Sequence, residues 1–142
     1  MIYTTYLAQM KKIPDEARKI IIMRYMPASL KDPKYNVEWE PNLAPEDILL
    51  TKYKKGDIDF LEFREKYIEQ LDFNTCTANT VKKFIKEIKE NPDQDIYFIC
   101  CEKNNLECHR RFFINHLNVM LGPSMLDDRN FRDLIGGEKT QW

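Results

Sequence analysis

Short stretches of strand composition alternate along this chain with longer stretches in which apolar residues recur at helical spacing. The clearest is Ile96–Cys101 (IYFICC), an unbroken apolar run rich in aromatic and β-branched residues. Its length suits a strand buried on both faces, as in parallel sheets covered by helices. Ile2–Leu7 (IYTTYL) reads as a first strand, closed by the polar, proline-bearing segment that follows. Lys19–Arg24 (KIIIMR) reads as a second, since Pro27 stops it too early for a helix. Helical periodicity predicts Glu46–Lys55, closed by Gly56, and a second helix in which Phe60, Phe63, Tyr67 and Leu71 share one face. Asp59 and Glu62 form a capping-box pattern at its start. A third helix is expected from about Thr77 to Asn91, before Pro92. A fourth carries Phe113, Leu117, Met120 and Leu121 and ends at Gly122 and Pro123.

The order β, β, α, α, α, β, α predicts an α/β fold: a small, three-stranded, mostly parallel sheet flanked by helices in a Rossmann-like layer arrangement. The helices between Lys19–Arg24 and Ile96–Cys101 supply the crossover that a parallel pair requires. Residues 1–142 are read as a single domain, with a core over 1–122 and a tail over 123–142 that carries a short apolar element around Phe131 and Leu134, expected to be one more helical turn. Ala28–Pro45 is irregular and proline-bearing, long for an idle loop, and is expected to form a lid or wall.

Charge and cysteine usage narrow the class. Twenty-two basic against 23 acidic residues give a formal charge of −1, so nothing suggests an electrostatic grip on nucleic acid or an anionic membrane. There is no apolar run of spanning length and no secretory pattern at the N-terminus, and a soluble cytoplasmic protein is expected. The four cysteines, Cys76, Cys100, Cys101 and Cys108, are clustered, two of them adjacent, which does not resemble a secreted disulfide framework. Reduced thiols follow.

Candidate chemistry gathers where Ile96–Cys101 ends and the last helix begins, because ligands of open α/β sheets lie at the carboxyl ends of the strands. Cys108, His109 and Arg110 fall in the helix's first turn, where backbone N–H groups and the macrodipole favour an anion. Arg24 and Arg110 at one sheet edge would make a bidentate trap for phosphate or carboxylate; the plainer alternative is a structural ion pair of Arg24 with Glu102. Glu102 or His109 would move a proton, and His109 at a helix start is favoured neutral. Cys108, beside Arg110, is where a thiol pKa should fall, while Cys100 reads as inert core. A phosphatase loop is discounted, since no glycine lies between Cys101 and Cys108 and no arginine stands six positions after a suitably placed cysteine. Zinc on Cys101, Cys108, His109 and distant Cys76 is disfavoured, because the cysteine spacing is wide and adjacent Cys108 and His109 should diverge in a helix. No metal and no cofactor is expected. Ser29 and Trp39, with Tyr35, stand in the irregular segment as candidate ligand contacts, although single aromatics there also serve to anchor a loop to the core.

Arg24-x-x-Pro27-x-Ser29 after a strand, Trp39 followed by Leu43-Ala44-Pro45, Phe63-Arg64-x-x-Tyr67-x-x-x-Leu71, and Cys101-Glu102 leading into Cys108-His109-Arg110 together resemble the bacterial domain-of-unknown-function family four hundred eighty-eight, which includes the YeaO-like proteins. The Trp39 to Leu71 portion is similar to the YeaO branch and Cys108-His109-Arg110 to the other. Members often carry an acidic residue one or two positions before the matched arginine, where Ile22 and Met23 stand here, a departure that bears on whether any family activity extends to this chain. The resemblance implies a compact α/β domain with its site at the strand ends and supplies no reaction. The expectation is a small phosphate- or carboxylate-bearing, nucleotide-like ligand, bound by Arg24, Ser29, Trp39, Cys108 and Arg110, with a hydrolase or group transferase using Glu102 or His109. The alternatives are a non-catalytic nucleotide-sequestering module and a protein-interaction domain. Composition does not reach the oligomeric state.

Overall fold

The computed structural model describes residues 2–101 and 108–121, with the backbone of 132–135 and 138–141. Its strands are β1 (Ile2–Tyr6), β2 (Arg18–Ile21), β3 (Glu38–Trp39), β4 (Ile96–Cys100), β5 (Arg132–Ile135) and β6 (Glu138–Gln141); its α-helices are α1 (Asp47–Lys54), α2 (Phe60–Phe73), α3 (Thr75–Glu90) and α4 (His109–Leu121). They form an α/β fold around one sheet of order β3-β2-β4-β1-β5-β6. Four parallel strands, β3-β2-β4-β1, make its body; β5 joins β1 in parallel and β6 returns antiparallel. The three-strand expectation is thus corrected. β3 is a two-residue strand inside the proline-bearing segment, and Arg132–Ile135 is extended where a helical turn was expected.

As the crossover argument required, β2 and β4 are parallel neighbours, Arg18 opposite Ile96 and Ile21 opposite Ile99. Ile22 adds one more rung, its N–H donating to the Ile99 carbonyl at 2.9 Å, so the chain leaves the sheet just before Arg24. β2 starts one residue earlier than its apolar run, at Arg18, whose guanidinium pairs with Glu38 and, at 3.0 Å, with Glu87. These bonds tie β2 to β3 and to α3.

Alternation along β4 assigns its two faces. Ile96, Phe98 and Cys100 pack with Ile2, Ile20 and Ile22 against residues from all four α-helices, including Phe63, Phe84 and Phe113. Tyr97 and Ile99 lie with Tyr3 and Ile21 on the other face, under Ile13 and Ala17 and the half-buried Leu7, Met10 and Leu30. Among the described residues the second face is therefore covered by 3-10 turns and loop rather than by α-helices, because the connection from β1 to β2 is too short to hold more than the turn Leu7–Lys12.

Helix ends follow local chemistry. The Asp59 carboxylate accepts from the Glu62 N–H at 2.8 Å, starting α2 where the capping pattern placed it. Asn74 closes α2, its N–H donating to the Gln70 carbonyl, and starts α3, its side chain accepting from the Thr77 N–H at 3.0 Å. One residue serving both helices explains why α3 begins before Thr77. Gly56 ends α1 at φ +78°, a conformation in which a Cβ would be strained. No described helix is long and apolar enough to cross a membrane.

His116 on α4 faces Asp72 on α2 at 3.6 Å, in a depression also lined by Arg64 and Arg111. Burial lowers its pKa from 6.5, and Asp72 only partly opposes this. The unfolded chain therefore binds this proton more readily than the folded one, so stability is expected to fall as the pH drops below about 6.5. Urea unfolding across that range should show the slope in the wild type and a weaker one in His116→Gln. An unaltered slope would assign the pH dependence to other groups.

Candidate functional site

β2 and β4 end side by side, and α4 begins opposite them. Between lies a pocket of about 320 Å³, walled by Met23, Arg24, Tyr53, Phe63, Cys100, Cys101, Cys108 and His109, with Tyr25, Pro45, Leu50 and Lys54 around it. It occupies the position at the carboxyl ends of parallel strands that the topology favours for a ligand.

Cys108 is not in the helix: it precedes His109, the first residue of α4. That boundary lets the two side chains converge rather than diverge. The buried His109 ring sets Nε2 2.7 Å from the Ile22 carbonyl, which can only accept, so Nε2 carries a proton. In the neutral ring Nδ1 then carries the lone pair, and Cys100 Sγ lies 3.7 Å from Nδ1 and 3.8 Å from Nε2. Tyr67 closes the back of the ring edge-on at 5.5 Å and is itself fixed by donating its hydroxyl to the Leu43 carbonyl at 2.6 Å. The ligating atoms of Cys100, Cys108 and His109 all lie within 4.8 Å of one another, and all three residues are buried. The cysteine that converges with Cys108 and His109 is Cys100 rather than Cys101, and Cys76 lies exposed on α3, outside this group.

The two buried thiols are driven apart in acidity. Burial works against the Cys108 thiolate, yet the hydrogen bond from Cys100, the charge and bond of His109 when its ring is protonated, and the charge of Arg110 together hold Cys108 well below the ordinary thiol range. Cys100, bonded to Cys101 and to Cys108 and itself buried, is pushed well above it. Cys101 stands exposed beside them.

Arg24 lines the pocket and is bonded to the wall opposite β2. Its Nε donates to the Pro45 carbonyl at 3.0 Å, and its Nη2 to the Ala44 and Pro45 carbonyls at 3.1 and 2.8 Å. Gln70 holds the same segment from α2, donating to the Ala44 carbonyl and accepting from the Glu46 N–H, both at 2.8 Å. The proline-bearing segment is in this sense a wall, stapled from two sides.

Other candidates fall elsewhere. Arg110 is fully buried and is not among the pocket's lining residues, so it does not share the mouth with Arg24. Ser29 and Tyr35 line a different depression with Lys19 and Lys34. Trp39 lines a third, its indole N–H donating to the Met23 carbonyl at 2.9 Å, which anchors the loop. Glu102 lies outside the described residues. Tyr53 was not anticipated: on a short helix with ordinary spacing nothing distinguished a pocket wall from core.

The sequence profile of the DUF488-N3a family, described as the Active DUF488-N3 subclade, matches residues 2–120. No curated protein and no solved structure matches the chain. With a matched span that runs from β1 through the Cys108-His109 turn into α4, the chain belongs to the DUF488 family, in the subclade described as Active DUF488-N3.

Proposed function

We propose that the strand-end pocket binds a small molecule with an anionic group and a flat apolar body, a nucleotide-like ligand, and that the protein is a cytoplasmic hydrolase or group transferase acting on it. The observation that carries this reading is one pocket lined by both a guanidinium, Arg24, and a tautomer-fixed imidazole, His109, together with the rings of Tyr53 and Phe63. Arg24 would hold the anion: Nη1 takes no part in its clamp on Ala44 and Pro45. The start of α4 adds the attraction of a helix N-terminus. His109, its Nε2–H fixed on Ile22, would accept the proton of the attacking group at Nδ1. The word "active" in the description of the matched subclade agrees with an enzyme.

The test is a binding screen of inorganic phosphate, nucleoside phosphates and small carboxylates by titration calorimetry, followed by product analysis at substoichiometric protein. Arg24→Met is expected to lower the affinity of whichever ligand binds by roughly ten- to a hundredfold, the worth of a charge-assisted hydrogen bond, with Arg24→Lys recovering part. Altered product from excess ligand makes the protein an enzyme, while stoichiometric retention without turnover makes it a sequestering module. Equal affinity in wild type and Arg24→Met removes the anion site.

A further inference from the structure

We propose that Cys100, Cys108 and His109 form the seat of a single zinc ion, bound through two sulfurs and Nδ1 with its fourth position opening on the strand-end pocket. The proposal rests on the reading of that pocket as a ligand site only for what the fourth position meets; the seat itself stands on its own geometry.

A tetrahedral zinc held by sulfur at about 2.3 Å and imidazole nitrogen at about 2.1 Å sets its ligand atoms ~3.6–3.8 Å apart. Cys100 Sγ and His109 Nδ1 are 3.7 Å apart, and Cys108 Sγ lies within the same 4.8 Å cluster. The three donors therefore need only small rotations about their side-chain bonds to enclose an ion.

The second observation is the fixed tautomer. A ligating histidine commonly donates its other ring N–H to a carbonyl or carboxylate, which orients the ring. Here Nε2–H meets the Ile22 carbonyl at 2.7 Å, leaving Nδ1 as the ring's lone pair, with Cys100 Sγ 3.7 Å from it and 3.8 Å from Nε2.

Donor chemistry selects the ion. Two thiolates and an imidazole suit zinc, whereas the hard cations calcium and magnesium require oxygen. Binding would displace the proton of Cys100, and two thiolates then balance the ion's charge, giving a neutral centre compatible with the neighbouring Arg110.

Among the described residues three side chains converge here, and three protein ligands with one open position describe a catalytic rather than a structural zinc. With Nδ1 taken by the ion, His109 would no longer serve as the base, and water in the fourth position would give its proton to solvent. Its oxygen would form the new bond to the ligand's phosphorus or acyl carbon as the leaving oxygen departs and takes up a proton from solvent. That is a hydrolysis, needing no oxidant or reductant.

The experiment uses the full chain, reduced and stripped with chelator, titrated with Zn²⁺ and Co²⁺. One equivalent of either should bind, and the Co²⁺ form should show a thiolate-to-cobalt charge-transfer band in the near ultraviolet with intense tetrahedral bands in the visible. Cys100→Ser, Cys108→Ser and His109→Gln should each weaken uptake by more than about a hundredfold, since losing a direct ligand should exceed the loss seen for outer partners. Cys76→Ser should bind as wild type. Should a ligand variant fail to fold, the wild-type cobalt spectrum still decides, because only thiolate ligation gives the charge-transfer band. Absence of stoichiometric uptake by reduced protein, or a cobalt spectrum without that band, overturns the proposal; loss of uptake in Cys101→Ser overturns the open fourth position. Failure here is distinct from failure of the pocket reading: Arg24→Met should keep its metal while losing the anionic ligand, and protein that binds the ligand yet takes up no metal would sink the zinc alone.

Discussion

Phe98→Ala is expected to lower the free energy of unfolding by about 3–5 kcal/mol, the range for deleting a fully buried ring that its neighbours cannot replace. Phe98 is the middle residue of β4, and β4 lies between β1 and β2, with Thr4 on one side and Ile20 on the other. Its ring is fully buried and meets Phe84 of α3 edge-on at 5.6 Å and Phe113 of α4 at 4.9 Å. Two helices and the sheet thus converge on one side chain, and backbones pinned by parallel ladders on both flanks cannot close the void. Urea titration should show a lower midpoint with an unchanged slope. A loss below about 1 kcal/mol would mean that the three layers relax together, contrary to the rigidity inferred from their packing.

Gln70→Leu should cost about 2–3 kcal/mol, because it strands polar groups rather than merely deleting a contact. The buried Gln70 amide donates to the Ala44 carbonyl and to the Thr77 hydroxyl, at 2.8 and 3.1 Å, and accepts from the Glu46 N–H at 2.8 Å. Leucine has similar bulk and none of these bonds. The consequence should be local as well as global, since among the described side chains Arg24 would then be left to hold the Ala44 and Pro45 carbonyls. Hydrogen exchange at the Glu46 amide should accelerate more than the global destabilisation accounts for. Equal acceleration throughout the protein would show that Gln70 is ordinary core and not the fastener of the pocket wall.

How far the sequence could be read depended on which physical signal each element left. β4 was visible because a strand buried on both faces must be apolar throughout, and its parallel pairing with β2 followed from the helices between them. β3 left no such signal, being two residues within a proline-bearing segment. Arg132–Ile135 contains one short apolar stretch, too brief for periodicity to separate strand from helix. At the site, Cys108 and His109 were found from the start of the helix, but a boundary displaced by one residue reversed the inference about their convergence. Cys100 was assigned to the core by its apolar neighbours, and it is buried; what its strand could not reveal is that its sulfur faces His109. Arg110 shows the same limit, since charge suggested the mouth whereas helical phase turns it inward. Ser29 and Trp39 sit in a segment whose length was informative and whose path was not. The Ile22 carbonyl, which fixes the His109 tautomer, is a backbone atom and leaves no mark on composition at all.

The position of β4 between β1 and β2 also bears on how the protein is made. Ile2 pairs with Ile96 and Arg18 with the same residue from the other side, while β1 and β2, consecutive in the chain, share no ladder. As the nascent polypeptide leaves the ribosome, β1 must wait without a ladder partner, and β2 with only the two-residue β3, until the strand that joins them has been translated. Such long-range pairing slows folding and leaves apolar edges open to association in the interval. A stalled chain ending before Ile96 would accordingly have helices to offer but nothing to join β1 to β2, and the step that completes its core would be the one that also assembles Cys100 with His109.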